Sequence, residues 1–467
     1  MNRPLNRNIT RALTALLFVA LAALHPRAQA QTAVGIGDPM LPAAGNPGYD
    51  VLHYEIDLTI ESVETGALSA VMQVTFVAQQ PLRRFNLDFS PLTIDEVTVN
   101  GAAAGFVYAA GELTITPAQP LRAGQDVELR IAYAGTPNPG SNPYIGLGGY
   151  ITYEDGIYVA GQPYSAATFI PVNDHPRDKA TYLIRITVPA PYMAVSNGVL
   201  EQTIDDGDTF TYVWAMNEPM ASYLLTLAVG QFETYEQTGP NGLPINTYLP
   251  PNADARIIAA FKRQAQMIAH FEELFGEYPF ETAGGIVIDS PTMGFALETQ
   301  SIPIYGTGIV TYAGELVVAH EIAHQWFGNS VSVYSWQNIW LNEGFASYAE
   351  ALWTEHVDGA AAFRQTLRGF YETARRSRVL PGAPTLTTLF DGAIYHRGAL
   401  TLHALRLRVG DERFFEILRT YTAEFRGGNA TTEDFIAVAS RVSGMELSGL
   451  FDDWLFGQLP SRASLGL

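Results

Sequence analysis

There is no cysteine anywhere in the 467 residues. This excludes thiol nucleophiles, disulfides and thiolate metal ligands, so any metal must be held by His, Asp or Glu. Charge is sparse at 16%, and cations are sparser still: 27 Lys and Arg against 47 Asp and Glu, a net charge of −20. Such a surface repels nucleic acid and anionic membrane, and neither is an expected partner. Past the N-terminus, no stretch approaches the roughly 18 uninterrupted apolar residues of a membrane span.

What is present is an ordinary globular composition, 47% hydrophobic, in a chain long enough for two or three domains. The first residues read as a targeting segment. Arg3, Arg7 and Arg11 precede the short apolar run "ALTALLFVALAAL" (12–24), and "AQA" (28–30) offers small residues for a signal peptidase. Residues 1–30 are therefore expected to be a signal peptide cleaved after Ala30, with export to periplasm or medium and no membrane insertion afterwards. Cleavage would remove four arginines and no acid, leaving 23 basic residues against 47 acidic, a balance of −24.

Residues 31–48, rich in Pro and Gly, are expected to be a flexible lead-in. "HYEIDLTIE" (53–61) then alternates apolar Tyr54, Ile56, Leu58 and Ile60 with polar partners, the period of a half-buried strand. "SAVMQVTFVA", "LTIDEVTVNG", "DVELRIAYAG", "TYLIRITVPA" and "SYLLTLAVGQF" repeat that character to about residue 230. An all-β domain of one or two antiparallel sheets is expected over 49–233. After it, Ile257, Phe261, Ile268, Phe271 and Phe275 have helical spacing, "GGIVIDS" and "GFALETQSIPIY" look like strands, and helical patterns dominate from residue 313. "TTED" (431–434) reads as a capping box. The whole is a multidomain α+β chain, with a mostly helical domain over 234–467.

"VVAHEIAHQWFGN" (317–329) carries the chemistry. His320 and His324 are four apart, so one helical face presents both imidazoles to one ion. Glu321 lies about 100° round the helix from His320 and faces a ligand of the metal rather than the metal. Alone, this five-residue pattern also suits a buried helix with two histidines. A catalytic zinc site needs a third protein ligand and an open position, and "WLNEGFASYAE" (340–350) offers Glu343, 18 residues beyond His324. Glu350 falls on the same face seven residues later, either to orient a ligand imidazole or as a solvated helix position. Two His, one Glu and water suit a single Zn²⁺, which would activate the water while Glu321 takes its proton. His175 and His396 lack partners at ligand spacing and read as structural, and His403 reads as a core histidine.

"HEIAHQWFGN", 18 residues and then "WLNEGFA" resemble the zinc signature of the M1 peptidases, gluzincins of the aminopeptidase N and leukotriene-A4 hydrolase kind. "NPGYDVLHYEIDL", "FIPVNDHPRDKATYLIRITV" and "FFEILRTYTAEFRGGNATTEDF" resemble further family landmarks, so the likeness covers nearly all of 46–460. It implies a thermolysin-like catalytic domain and several residue roles. Glu298 in "GFALETQ" would bind the substrate's free α-amine. Gly294 and Ala296 would keep that strand's backbone open to peptide, although Leu297 and Thr299 depart from the usual Met and Asn. Tyr395 would donate to the tetrahedral oxyanion, and Gln162 would reach the amine from the β domain. The chain also stops near the close of the catalytic domain, where many members continue into a helical cap. An open cleft admitting longer peptides, without the cap's carboxylate-binding arginine, is the corresponding expectation. The leading expectation is thus a zinc aminopeptidase acting on peptides with a free N-terminus. The alternatives are a zinc endopeptidase on the same scaffold and a non-catalytic zinc-binding protein.

Overall fold

A computed structural model describes residues 35–142 and 146–467; the signal-peptide reading of 1–30 lies outside them. The alternating segment is a strand, Tyr49–Ser62, with Tyr54, Ile56, Leu58 and Ile60 all buried. It sits inside an eight-stranded sheet, flanked by Ala67–Ala78 on one side and Ala180–Pro189 on the other. The first pairing is antiparallel, but the second is parallel, with His53 opposite Thr181 and Leu58 opposite Ile186. A five-stranded sheet and a three-stranded sheet complete this region, so it holds three sheets rather than one or two. "SYLLTLAVGQF" is not one strand. Ser222–Leu224 is a 3₁₀ turn, and only Leu227–Gly230 pairs in the second sheet.

The lead-in departs most from expectation. Its described part is docked on the rest of the chain. The Asp38 carboxylate accepts from the backbone N–H of Met40 (2.7 Å), Leu41 (3.1 Å) and Trp336 (2.9 Å), and pairs with His175 Nε2 at 3.1 Å. Arg177 donates to the carbonyls of Ile36 and Tyr334 and lies over the Tyr334 ring. Pro and Gly make this segment irregular, but a carboxylate with four nitrogen partners holds it still.

The second region begins with the strand Glu233–Thr238, the outer member of a five-stranded mixed sheet ending in the edge strand Ala296–Leu297. The helical spacing of Ile257 to Phe275 is divided between two helices, α1 (Ala255–Phe261) and α2 (Gln264–Phe275). The break frees the Gln264 side chain, 1% exposed, to bond Thr247 Oγ1 and the Gly284 carbonyl of the sheet. At the same turn Arg263 pairs with Glu315 and sits over Trp353. Helices α3 (Glu315–Ala323), α4 (Trp340–Asp358) and α5 (Gly392–Val409) follow. Thr431 and Asp434 form the expected capping box, each side chain meeting the other's N–H.

Helices α4 and α5 cross at two glycines. A Cβ on Gly344 would lie 2.9 Å from Gly398 Cα, and one on Gly398 2.9 Å from Gly344 Cα. Interior glycines each cost a helix about 1 kcal/mol relative to Ala, and here they bring two backbones together. Among the described residues, no helix is long and apolar enough to cross a membrane.

Candidate active site

Helix α3 is apolar on most sides, as a helix buried between sheet and helices must be. Gly314, at φ 63°, starts it and Glu315 favours its N-terminal dipole. Val318, Ala319, Ile322 and Ala323 are buried along with His320, Glu321 and His324. The chain then turns at Gly328, φ 130°, where a Cβ would press on Asn342 and His324 at 3.2–3.3 Å. That turn leads to Ser335, which caps the 3₁₀ turn before α4. Phe327 packs on Phe345 at 4.5 Å, seating α4 against the loop after α3.

Glu343, in the first turn of α4, is 3% exposed. Its Oε2 lies 3.3 Å from His320 Nε2 and 3.4 Å from His324 Nε2. The other ring nitrogens are committed elsewhere: His320 Nδ1 to Glu350 Oε1 at 2.7 Å, and His324 Nδ1 to the Phe327 carbonyl at 3.0 Å. Both Nε2 atoms are thus aimed inward by fixed partners. Donors at zinc's 2.0–2.1 Å around a tetrahedron sit roughly 3.3 Å apart, so the residues fit zinc in spacing, type and number, with one coordination position left over.

Glu298, Glu321 and His324 also converge, their ligand atoms all within 4.8 Å of one another. Glu298, 2% exposed, follows the edge strand, in which Ala296 pairs with Tyr305 and Leu297 with Ile304. Gln162 Nε2 donates to Glu298 Oε1 at 2.8 Å across 136 residues of sequence. Gly294 is exposed, with nothing within 4 Å of where a Cβ would lie, and Ala296 is half-buried. Tyr395 lies on α5, its ring nearly parallel to that of His320, 6.1 Å away.

The electrostatics follow from four carboxylates around two imidazoles. Burial opposes protonation of His320, but Glu343 and Glu350 hold its pKa well above the ordinary value. His324 is likewise buried, and Glu343 and Glu298 hold it up to about 9. Burial pushes Glu321 up to about 8, whereas Glu343, despite burial, is drawn down to about 2 by His324 and His320. Burial, then Glu343, Glu298, Glu321 and Glu350, keep the Tyr395 phenol protonated far above its ordinary range, and so a donor. Among the described residues no Lys or Arg pairs with Glu298, Glu321, Glu343 or Glu350. The pocket calls for a cation.

The structure brings His320, Glu321, His324, Glu343, Glu350, Glu298, Gln162 and Tyr395 together, with Ala296 two residues before Glu298 on the edge strand and Gly294 exposed ahead of it. His175 is apart from them, bonded to Asp38, and His403 meets the Tyr348 hydroxyl at 3.2 Å. His396 stacks on Phe370 at 4.5 Å. Sequence reasoning missed Gln325 and Asn329, whose side-chain amides donate to the Glu298 carbonyl at 3.4 and 2.6 Å. Their signal was the polar spacing of "EIAHQWFGN" itself, in which Gln325 and Asn329 follow Glu321 at four-residue steps.

Comparison with known proteins agrees. Residues 259–454 match the peptidase family M1 domain, and residues 50–224 the peptidase M1 N-terminal domain. The crystal structure of an M1 zinc metallopeptidase from Deinococcus radiodurans is 31% identical and superposes with a TM-score of 0.85, over 91% of this chain and 99% of that one. A variant of a two-domain M1 zinc metallopeptidase bound to L-arginine gives 32% identity, a TM-score of 0.85 and the same coverage. The glutamyl aminopeptidase of Sus scrofa is 30% identical over 318 residues, 63% of this chain. The match spans about a third of that relative's length, 34%.

Proposed function

The chain belongs to peptidase family M1, and on that footing we propose that it is a zinc aminopeptidase, releasing N-terminal residues from peptides. The observation that carries the reading is the Glu298 carboxylate. It is buried, pairs with no Lys or Arg among the described residues, and lies within 4.8 Å of the His324 and Glu321 donor atoms. A substrate ammonium held there sets the first peptide bond, and no later one, beside the zinc ligands.

His320, His324 and Glu343 would hold one zinc. When bound, zinc supplies Lewis acidity, polarising the scissile carbonyl and acidifying water. Glu321, buried beside the two imidazoles, accepts the attacking water's proton and returns it to the leaving amine. Tyr395 donates a hydrogen bond to the oxygen that becomes negative. The edge strand Ala296–Leu297, with Gly294 just before it, aligns the peptide by backbone pairing. Gln162 donates to one oxygen of Glu298, and the buried Tyr223 hydroxyl also bonds this carboxylate, holding it toward the ammonium. Glu350 and the Phe327 carbonyl keep both imidazoles oriented.

The test uses zinc-replete protein and one peptide, free and N-acetylated, with products read by mass spectrometry. Stepwise loss of single residues from the free form alone is expected. Internal cleavage of both forms would replace the reading with an endopeptidase. Glu321→Gln is expected to keep zinc and lose turnover. Arg3, Arg7, Arg11 and the apolar stretch 12–24 support export to periplasm or medium, and N-terminal sequencing of the exported protein tests cleavage after Ala30.

A further inference from the structure

Of the 27 basic residues only two are lysines, Lys179 and Lys262. Lys262 is exposed on the turn between α1 and α2. Lys179 points from the β region into the second one. Its Nζ donates to three backbone carbonyls, Asn329 at 2.8 Å, Ser330 at 3.1 Å and Gly428 at 3.2 Å. Burial lowers the Lys179 pKa to about 7; as an ammonium it has three N–H donors in a tripod, and these carbonyls satisfy all three. The planar fork of arginine cannot reproduce that geometry, which gives a reason for lysine in a chain that otherwise uses arginine.

The contact ends on the loop after the zinc-binding helix. Asn329 is fully buried, and its Nδ2 reaches the Glu298 carbonyl at 2.6 Å and Gln325 Oε1 at 3.1 Å. Gln325 in turn accepts from the Ser301 N–H at 2.7 Å and donates to the Glu321 carbonyl at 3.0 Å. The Glu298 carbonyl is therefore held by Asn329 and Gln325, and Gln325 also holds the backbone at Ser301. Asn329 itself is pinned by an ammonium from the β region.

We propose that Lys179 is a positioning residue for amine recognition. Through Asn329 it fixes the backbone of Glu298 at the height where the carboxylate meets a substrate ammonium. The β region then contributes to the site twice, directly through Gln162 and at one remove through Lys179. This rests on the reading of Glu298 as the amine anchor.

A pair of inhibitors differing by one ammonium isolates the effect. Acetohydroxamate engages the metal alone; glycine hydroxamate adds the amine. Holoenzyme with Lys179→Met or Asn329→Ala is expected to lose about tenfold of the preference for glycine hydroxamate, the scale of one charge-assisted hydrogen bond. Zinc content and the acetohydroxamate Ki should stay within about twofold. A preference unchanged in both variants, or equal weakening of both inhibitors, would overturn the proposal. Glu298→Gln separates the two claims. If it abolishes the preference while both other variants keep it, the relay is wrong and the anchor stands. If it leaves the preference intact, the anchor itself is wrong.

Discussion

Both halves of the molecule bury carboxylates deeply, and treat them differently. In the β region Glu112, Asp174 and Asp178 face neutral donors: Asn46 Nδ2 at 3.3 Å, Ser222 Oγ at 2.7 Å, and the Val51 N–H at 2.9 Å with Asn173. Amides and hydroxyls do not offset the lost hydration of an anion, and burial pushes Glu112 and Asp178 up to about 7. In the second region Glu298, Glu321 and Glu343 face imidazoles and one another, and Glu343 goes the opposite way, to about 2. Equal burial therefore has two outcomes. Neutral partners make a carboxyl that holds its own proton. Two imidazoles bonded to one carboxylate, as at Glu343, make an anion, whereas burial raises the pKa of its neighbours Glu298 and Glu321.

The sharpest way to break the contrast is to remove the anion. Glu343→Gln should lose zinc, as measured by metal analysis after dialysis, and hydrolysis with it. Glu350→Gln, removing only the brace on His320, should weaken zinc by about 10–100-fold. Retention of zinc by the first variant would mean the ligands are misassigned. Tyr395→Phe leaves every ligand in place and should lower kcat by about 10²–10³-fold with zinc content unchanged.

Asp38 tests the other side, as a buried carboxylate that stays charged. Its pKa is held below the usual carboxylate range, the His175 bond and three backbone N–H groups overcoming burial. Asp38→Ala should cost about 3 kcal/mol in urea denaturation, because it strands His175 and the Trp336 N–H. The smallest effect belongs to Glu112. Its folded pKa is raised, so its contribution to stability is present below pH 4.5 and is lost as pH climbs towards about 7. Glu112→Gln should flatten that decline by on the order of 1 kcal/mol, read as urea midpoints at pH 5 and 8.

The residues legible in the sequence were those whose geometry is local. His320 and His324 are neighbours because a helix makes i and i+4 neighbours, and Glu343 and Glu350 share a face for the same reason. The Thr431–Asp434 box is a three-residue affair. What was not legible depends on distant partners. Gln162 meets Glu298, and Asp38 meets Trp336, across intervals that no periodicity records. The break after Phe261 is visible only once Thr247 and Gly284 are placed beside Gln264. The parallel pairing of Tyr49–Ser62 with Ala180–Pro189 likewise leaves no trace in alternation, since parallel and antiparallel strands alternate alike.

The glycine crossing of α4 and α5 has one more consequence. Glu343 sits beside Gly344 on one helix, and Tyr395 lies three residues before Gly398 on the other. The distance between Glu343 and Tyr395 is therefore set by a spacer with no side chain. A single methyl at either glycine would act as a shim, parting the helices while sparing both functional side chains. Such a variant would remain a metalloprotein yet lose its grip on the transition state, so metal capture and turnover are separable by one carbon atom.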